Sequence, residues 1–278
     1  MYKKIFALLL STSFIAYASD DDIGGAARKL LRTELGAAVV LPEQEMQELR
    51  AYFKEGQNLS AALYTRLDRA QALGMSVSLI INLGSIDGVE SLTQLLNHCS
   101  AVTELDLSHN EICDDEAIAI ANCANLANLR DLNLAGNEIE YAGAVAICGS
   151  PHLGRLASLS FKDNPIQGDD IHTHFLNLIE RDTLKDIDLA GTGFTDANVQ
   201  AMAASESIRK LTRLDLSCTS IGEEGLEAIA ASDKFNGLEL LGLQRDPQAE
   251  EEEPLNEDLI ARLQEACPNV LLGASIPE

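Results

Sequence analysis

LTRLDLSCTSIGEEGLEAIA, residues Leu211 to Ala230, is the stretch whose pattern decides the architecture. Its first half alternates leucine with polar residues, as a short strand with one buried face does. Its second half spaces Ile221, Leu226, Ile229 and Ala230 along one face of a helix. Neither half can hide its apolar side alone, whereas stacked copies can, so the unit predicts a solenoid. Copies run in both directions: VTELDLSHNEI from Val102, LRDLNLAGNEI from Leu129, LASLSFKDNPI from Leu156, LKDIDLAGTGF from Leu184, LTRLDLSCTSI from Leu211 and LELLGLQRDPQ from Leu238. Their starts differ by 27, 27, 28, 27 and 27 residues. Helical segments follow, such as DEAIAI from Asp115, AGAVAI from Ala142 and EEGL from Glu223. Ser76 to Ile86, with Gly88 to Cys99 behind it, forms a degenerate first copy, as terminal repeats do.

Each slot has a physical meaning. Leu105, Leu107, Leu132, Leu134, Leu159, Phe161, Ile187, Leu189, Leu214, Leu216, Leu241 and Leu243 alternate and point into the core. With 4% aromatic residues and no Trp, that core is expected to be aliphatic. Asn110, Asn137 and Asn164 follow the strands, where an amide can satisfy backbone groups leaving the ladder. Thr192, Thr219 and Asp246 replace them in the later copies and have fewer donors, so the ladder is expected to weaken toward the C-terminal half. The residues between the buried leucines face the open side of the sheet: Glu104 and Asp106, Asp131 and Asn133, Ser158 and Ser160, Asp186 and Asp188, Arg213 and Asp215. Ser108, Lys162, Ser217 and Gln244 lie one step along. Carboxylates recur at neighbouring rungs, so their fields add and steer a basic protein toward this face. The candidate partner-binding set is Glu104, Asp106, Asp131, Asn133, Asp186, Asp188, Arg213 and Asp215.

The repeated pattern resembles the leucine-rich repeat family, in its ribonuclease-inhibitor-like subtype, from about Ser76 to the C-terminus. The resemblance implies an α/β horseshoe with a parallel concave sheet and convex helices. It also implies a non-enzymatic protein-binding module. Two alternatives come with it. One is a GTPase activator working through an arginine beside the repeats, for which Arg213 and Arg245 stand near strand ends; the other is a self-associating scaffold. Fold alone does not choose among them.

Outside the repeats, Lys3 and Lys4 precede an apolar run from Ile5 to Ala18, the pattern of a signal peptide cleaved after Ala18. That run is too short to span a bilayer about 30 Å thick. Residues 19–74 read as a helical N-terminal cap, 75–254 as the repeats and 255–278 as a C-terminal cap. The cap helices are expected over Ala26 to Val40, from Pro42 to about Lys54, and over Leu59 to Leu73. Asn58 opens the one glycosylation sequon, and Glu250 to Glu253 form a solvated acidic insertion. Cys99, Cys123 and Cys148 end helical segments of successive repeats, about 8–10 Å apart for packed helices. That exceeds the reach of a disulfide, so they read as small buried hydrophobes.

Forty-four acidic against twenty basic residues give a formal net charge of −24. Such a balance repels nucleic-acid phosphates and anionic lipid, leaving a basic protein as the expected partner. No cofactor is expected. His172 and His174 are two residues apart, so on a helix they diverge rather than share a metal. Gly191-Thr192-Gly193 lacks the lysine and remaining glycines of a phosphate loop, and no nucleophile-base pattern is present.

Overall fold

The computed structural model describes residues 88–244 and 256–272, strand 77–80, the pair 14–15 and the single positions 64, 67, 68 and 72. The cap helices expected over 26–40 and 42–54, Asn58, Arg245, Asp246 and the 250–253 insertion lie outside the described residues, while in the third expected cap helix the described positions 64, 67, 68 and 72 are helical.

Among the described residues, nine strands form one parallel sheet in sequence order: β1 (Phe14–Ile15), β2 (Val77–Ile80), β3 (Val102–Asp106), β4 (Asp131–Asn133), β5 (Ser158–Ser160), β6 (Asp186–Asp188), β7 (Arg213–Asp215), β8 (Leu240–Gly242) and β9 (Val270–Leu271). Helices follow from β2 onward: α1 (Gly88–Leu96), α2 (Asp114–Ala121), α3 (Tyr141–Gly149), α4 (Ile171–Ile179), α5 (Asp196–Ala204), α6 (Glu223–Ala231) and α7 (Glu257–Ala266). This is the α/β solenoid the repeat predicts, with α7 and β9 lying within residues 255–278. Phe14–Ile15 pair with Val77–Ser78 at the first edge of the sheet.

Register explains why the repeat works. Leu105 pairs with Leu132, Leu132 with Leu159, Leu159 with Ile187, Ile187 with Leu214 and Leu214 with Leu241. The buried slots therefore stack in one continuous column, and all twelve alternating positions are at most 5% exposed. The aliphatic expectation needs correction at the centre. Phe161, Phe175, Phe194 and Phe235 are among the largest fully buried side chains. Phe175 lies between Phe161 and Phe194, with ring centroids 5.9 and 5.6 Å away. These residues face inward from strand ends, a helix and connecting turns, so their scarcity in the composition hid their concentration.

The asparagine ladder is present and then stops. The Asn137 side-chain carbonyl accepts from the Asn110 and Ile112 N–H groups, and its amide donates to Leu107 in the preceding repeat and to Leu134 in its own. Asn164 repeats the arrangement with Ile139, Leu134 and Phe161. Thr192 and Thr219 each donate one hydroxyl bond, to Leu189 and Leu216 of their own repeats. A hydroxyl has one donor and a short reach, so the side-chain link between repeats is lost there. Just before the ladder position, His109, Gly136, Asp163, Gly191 and Cys218 all adopt φ between 54° and 68°. A Cβ on Gly136 would stand 2.2 Å from the His109 ring, so glycine is required at that left-handed turn.

On the opposite edge carboxylates strap successive helices together. Asp114 Oδ1 accepts from the Glu140 and Gly143 N–H groups at 2.9 and 2.8 Å. Asp196 Oδ1 does the same for Gly222 and Gly225 at 2.7 and 3.0 Å. Both acceptors thus satisfy orphan donors at the start of the next helix, where the helix dipole favours negative charge. Within single repeats Glu116 accepts from the Cys113 N–H and thiol, and Asn198 accepts from the Thr195 N–H and hydroxyl.

None of the six cysteines forms a disulfide. Cys99 and Cys148 are buried as expected, and burial pushes both thiols up to about 12. Cys123 departs from the expectation: it lies beyond the end of α2 and is only half-buried.

Candidate functional site

The concave face is a shallow trough of about 880 Å³ running across the middle of the sheet. Strand pairing arranges its floor in two rows. The first is Glu104, Asp131, Ser158, Asp186, Arg213 and Leu240; the second is Asp106, Asn133, Ser160, Asp188, Asp215 and Gly242. All eight candidate partner-binding residues line the trough, with Lys162 at its rim. Six carboxylates therefore face two cations in one concavity. Among the described residues no aromatic side chain lines it.

The two rows do different work. Asp106 accepts from the Ser108 N–H, Asn133 from Ala135, Ser160 from Lys162, Asp188 from Ala190 and Asp215 from Ser217, at 2.9 to 3.3 Å. Each side chain thereby caps the backbone as it leaves the strand, the Asx or Ser turn that these residue types favour. Asp215 has a further constraint, since a Cβ on Gly242 would meet its carboxylate at 2.2 Å. The second row is therefore partly structural, which alternation alone does not reveal. In the first row, the side chains of Asp131 and Asp186 have no hydrogen-bond or ion-pair partner among the described residues, and Ser158 separates them.

Electrostatics follow from this crowding. Burial raises the Asp131 carboxyl above its ordinary range; Glu104 and Asp186 raise it further while Arg130 opposes. Burial also raises Asp188, against the Ala190 N–H and with help from Asp215. Ionised carboxylates in a half-buried row disfavour one another, and an incoming cation relieves that repulsion.

Ser217 is a correction. It was expected on the open side one step along, yet it is 7% exposed and its hydroxyl accepts from the Gln244 N–H. The histidine pair behaves as the helix geometry requires. His174 lies 3.4 Å from the Tyr141 hydroxyl in the preceding repeat, and His172 lies 3.3 Å from Asn198 in the following one. Among the described residues no group of three or more His, Cys, Asp or Glu could hold a metal. No described helix is long and apolar enough to cross a membrane.

Comparison with known proteins bears on the repeats. A family model described as Leucine Rich repeat matches residues 98–121, 125–148 and 207–230. These segments cover β3 with α2, β4 with α3, and β7 with α6. No curated protein matches the chain. Among solved structures, the actin-binding site 2 of leiomodin-1 is similar at 21% identity and a TM-score of 0.38, over 47% of this chain and 77% of that one. An internalin (inlF) from Listeria monocytogenes is similar at 17% identity and a TM-score of 0.45, over 73% of this chain. The match spans 48% of that internalin. With strand, helix and period in agreement across its units, the fold is that of a leucine-rich repeat solenoid.

Proposed function

We propose that this chain is a non-enzymatic protein-interaction module that holds a basic protein on the concave face of its repeats. The observation that carries the reading is the trough itself: six carboxylates against two cations, with the Asp131 and Asp186 carboxylates free of side-chain hydrogen bonds among the described residues. Opposed charge steers a basic partner to this face and raises the association rate. The rest of the surface reinforces that field, since the whole chain carries a formal net charge of −24. Export through the apolar N-terminal segment would remove Phe14–Ile15 and leave β2 as the first edge of the sheet. A full helix in each regular unit supports the ribonuclease-inhibitor-like subtype.

The test is affinity capture with the mature protein and with an Asp131→Lys, Asp186→Lys variant, followed by mass spectrometry. The reading requires a captured set rich in basic proteins, eluted by moderate salt and lost with the variant. An identical, salt-resistant set from both proteins overturns it.

A further inference from the structure

The trough is not uniform along the solenoid. Its first row runs from carboxylates at Glu104, Asp131 and Asp186, through the exposed Arg213, to the half-buried Leu240. The second row ends on Gly242, which presents no side chain and pairs with Leu271 on the last strand. Leu271 is 36% exposed, one of the few large apolar side chains the described surface leaves open. Acidic rungs and an apolar end thus share one concave surface, in an order fixed by strand register.

Resting on the reading above, we propose that the concave face selects a partner segment with an ordered pattern. Basic side chains lie over Asp131 and Asp186, and an apolar side chain seats on Leu240 and Leu271. Charge alone gives encounter and selectivity, while burial of apolar surface provides the retention that an aromatic-free acidic trough lacks. The distance suits a single short segment. From β6 to β9 is three strand spacings, about 14 Å, which an extended chain covers in about four residues. The occupant is a separate basic chain rather than this protein's own insertion, because Glu250 to Glu253 would place four further carboxylates beside Asp188 and Asp215.

Fluorescence anisotropy with two labelled probes decides the matter: hexalysine, and hexalysine extended by Gly-Gly-Leu-Leu. The extended probe should bind about tenfold more tightly to the wild type, the effect of burying roughly one leucine. Leu240→Asp with Leu271→Asp should erase that ratio, and the two added carboxylates should strengthen hexalysine binding rather than weaken it. Asp131→Asn with Asp186→Asn should weaken both probes and preserve the ratio. Leu240→Ser with Leu271→Ser, checked for folding by circular dichroism, stands in if the aspartates unfold the terminal repeat. If hexalysine binds but the tail adds nothing, or its gain survives the leucine substitutions, the ordered pattern is wrong while the acidic reading stands. The tail also adds nothing if the chain's own residues 273–278 cover the leucines, and the proposal falls in that case too. If neither probe binds, both the pattern and the underlying acidic reading fail.

Discussion

Asn137 is 6% exposed and its side chain joins two neighbouring repeats, whereas Thr192 at the equivalent turn bonds only within its own. Removing the amide leaves buried N–H and carbonyl groups unpaired, each costing about 1–3 kcal/mol. Asn137→Ala should therefore lower stability by about 3 kcal/mol or more, and Thr192→Ala by about 1 kcal/mol, in chemical denaturation. Equal losses would show that the ladder does not couple repeats. The carboxylates make a second prediction at this scale. Burial, then neighbouring charge, raises Asp131, and burial raises Asp188, so the folded protein holds these protons more tightly than the unfolded chain does. Their neutral forms contribute stability below the ordinary carboxylate range, and that contribution is lost as pH rises through the raised folded values. Asp131→Asn with Asp188→Asn should therefore raise the melting temperature near neutral pH and leave it unchanged in acid. The amide oxygen at 188 can still accept from Ala190, so the turn survives. A gain of the same size at both pH values would contradict the assignment. Of this scale, the inward leucines were legible from alternation because side-chain direction follows directly from a period of two. The double duty of Asp106, Asp188 and Asp215 was not, since it depends on backbone donors brought round by the following turn.

At the scale of elements, the carboxylate straps explain why glycine occupies helical positions where alanine is intrinsically better by about 1 kcal/mol. A Cβ on Gly143 would stand 2.5 Å from Asp114 Oδ1 and 2.9 Å from the Ala117 methyl; on Gly225 it would stand 2.5 Å from Asp196 Oδ1. Gly143→Ala and Gly225→Ala should each destabilise the protein by about 1–3 kcal/mol through this overpacking. Gly149, at the end of the same helix as Gly143, has open space where its Cβ would lie. Gly149→Ala should accordingly be neutral or stabilising by up to about 1 kcal/mol. Stabilisation by all three would mean that helix propensity, and not the strap, governs these sites. The helices were legible from spacing, yet α3 shows the limit of that reading. YAGAVAICG is apolar around its whole circumference, so the sequence marks a helix without marking its buried face. Gly143, Ala144, Ile147 and Cys148 are buried there because the strap and the adjoining small residues draw α2 close.

For the whole molecule, the solenoid was legible almost completely, because a period of 27 or 28 residues repeats the same strand register down the sheet. The acidic composition of the concave face was legible for the same reason, and the division between structural and unbonded carboxylates was not. That division sharpens where a partner should touch. Carbodiimide labelling of carboxylates, read by mass spectrometry with and without hexalysine, tests the central claim most directly. The account requires Asp131 and Asp186 to be protected by the probe while Glu223 and Glu224, exposed at the start of α6, keep their labelling. Protection spread evenly over both groups, or confined to Glu223 and Glu224, would contradict a binding face in the concave trough.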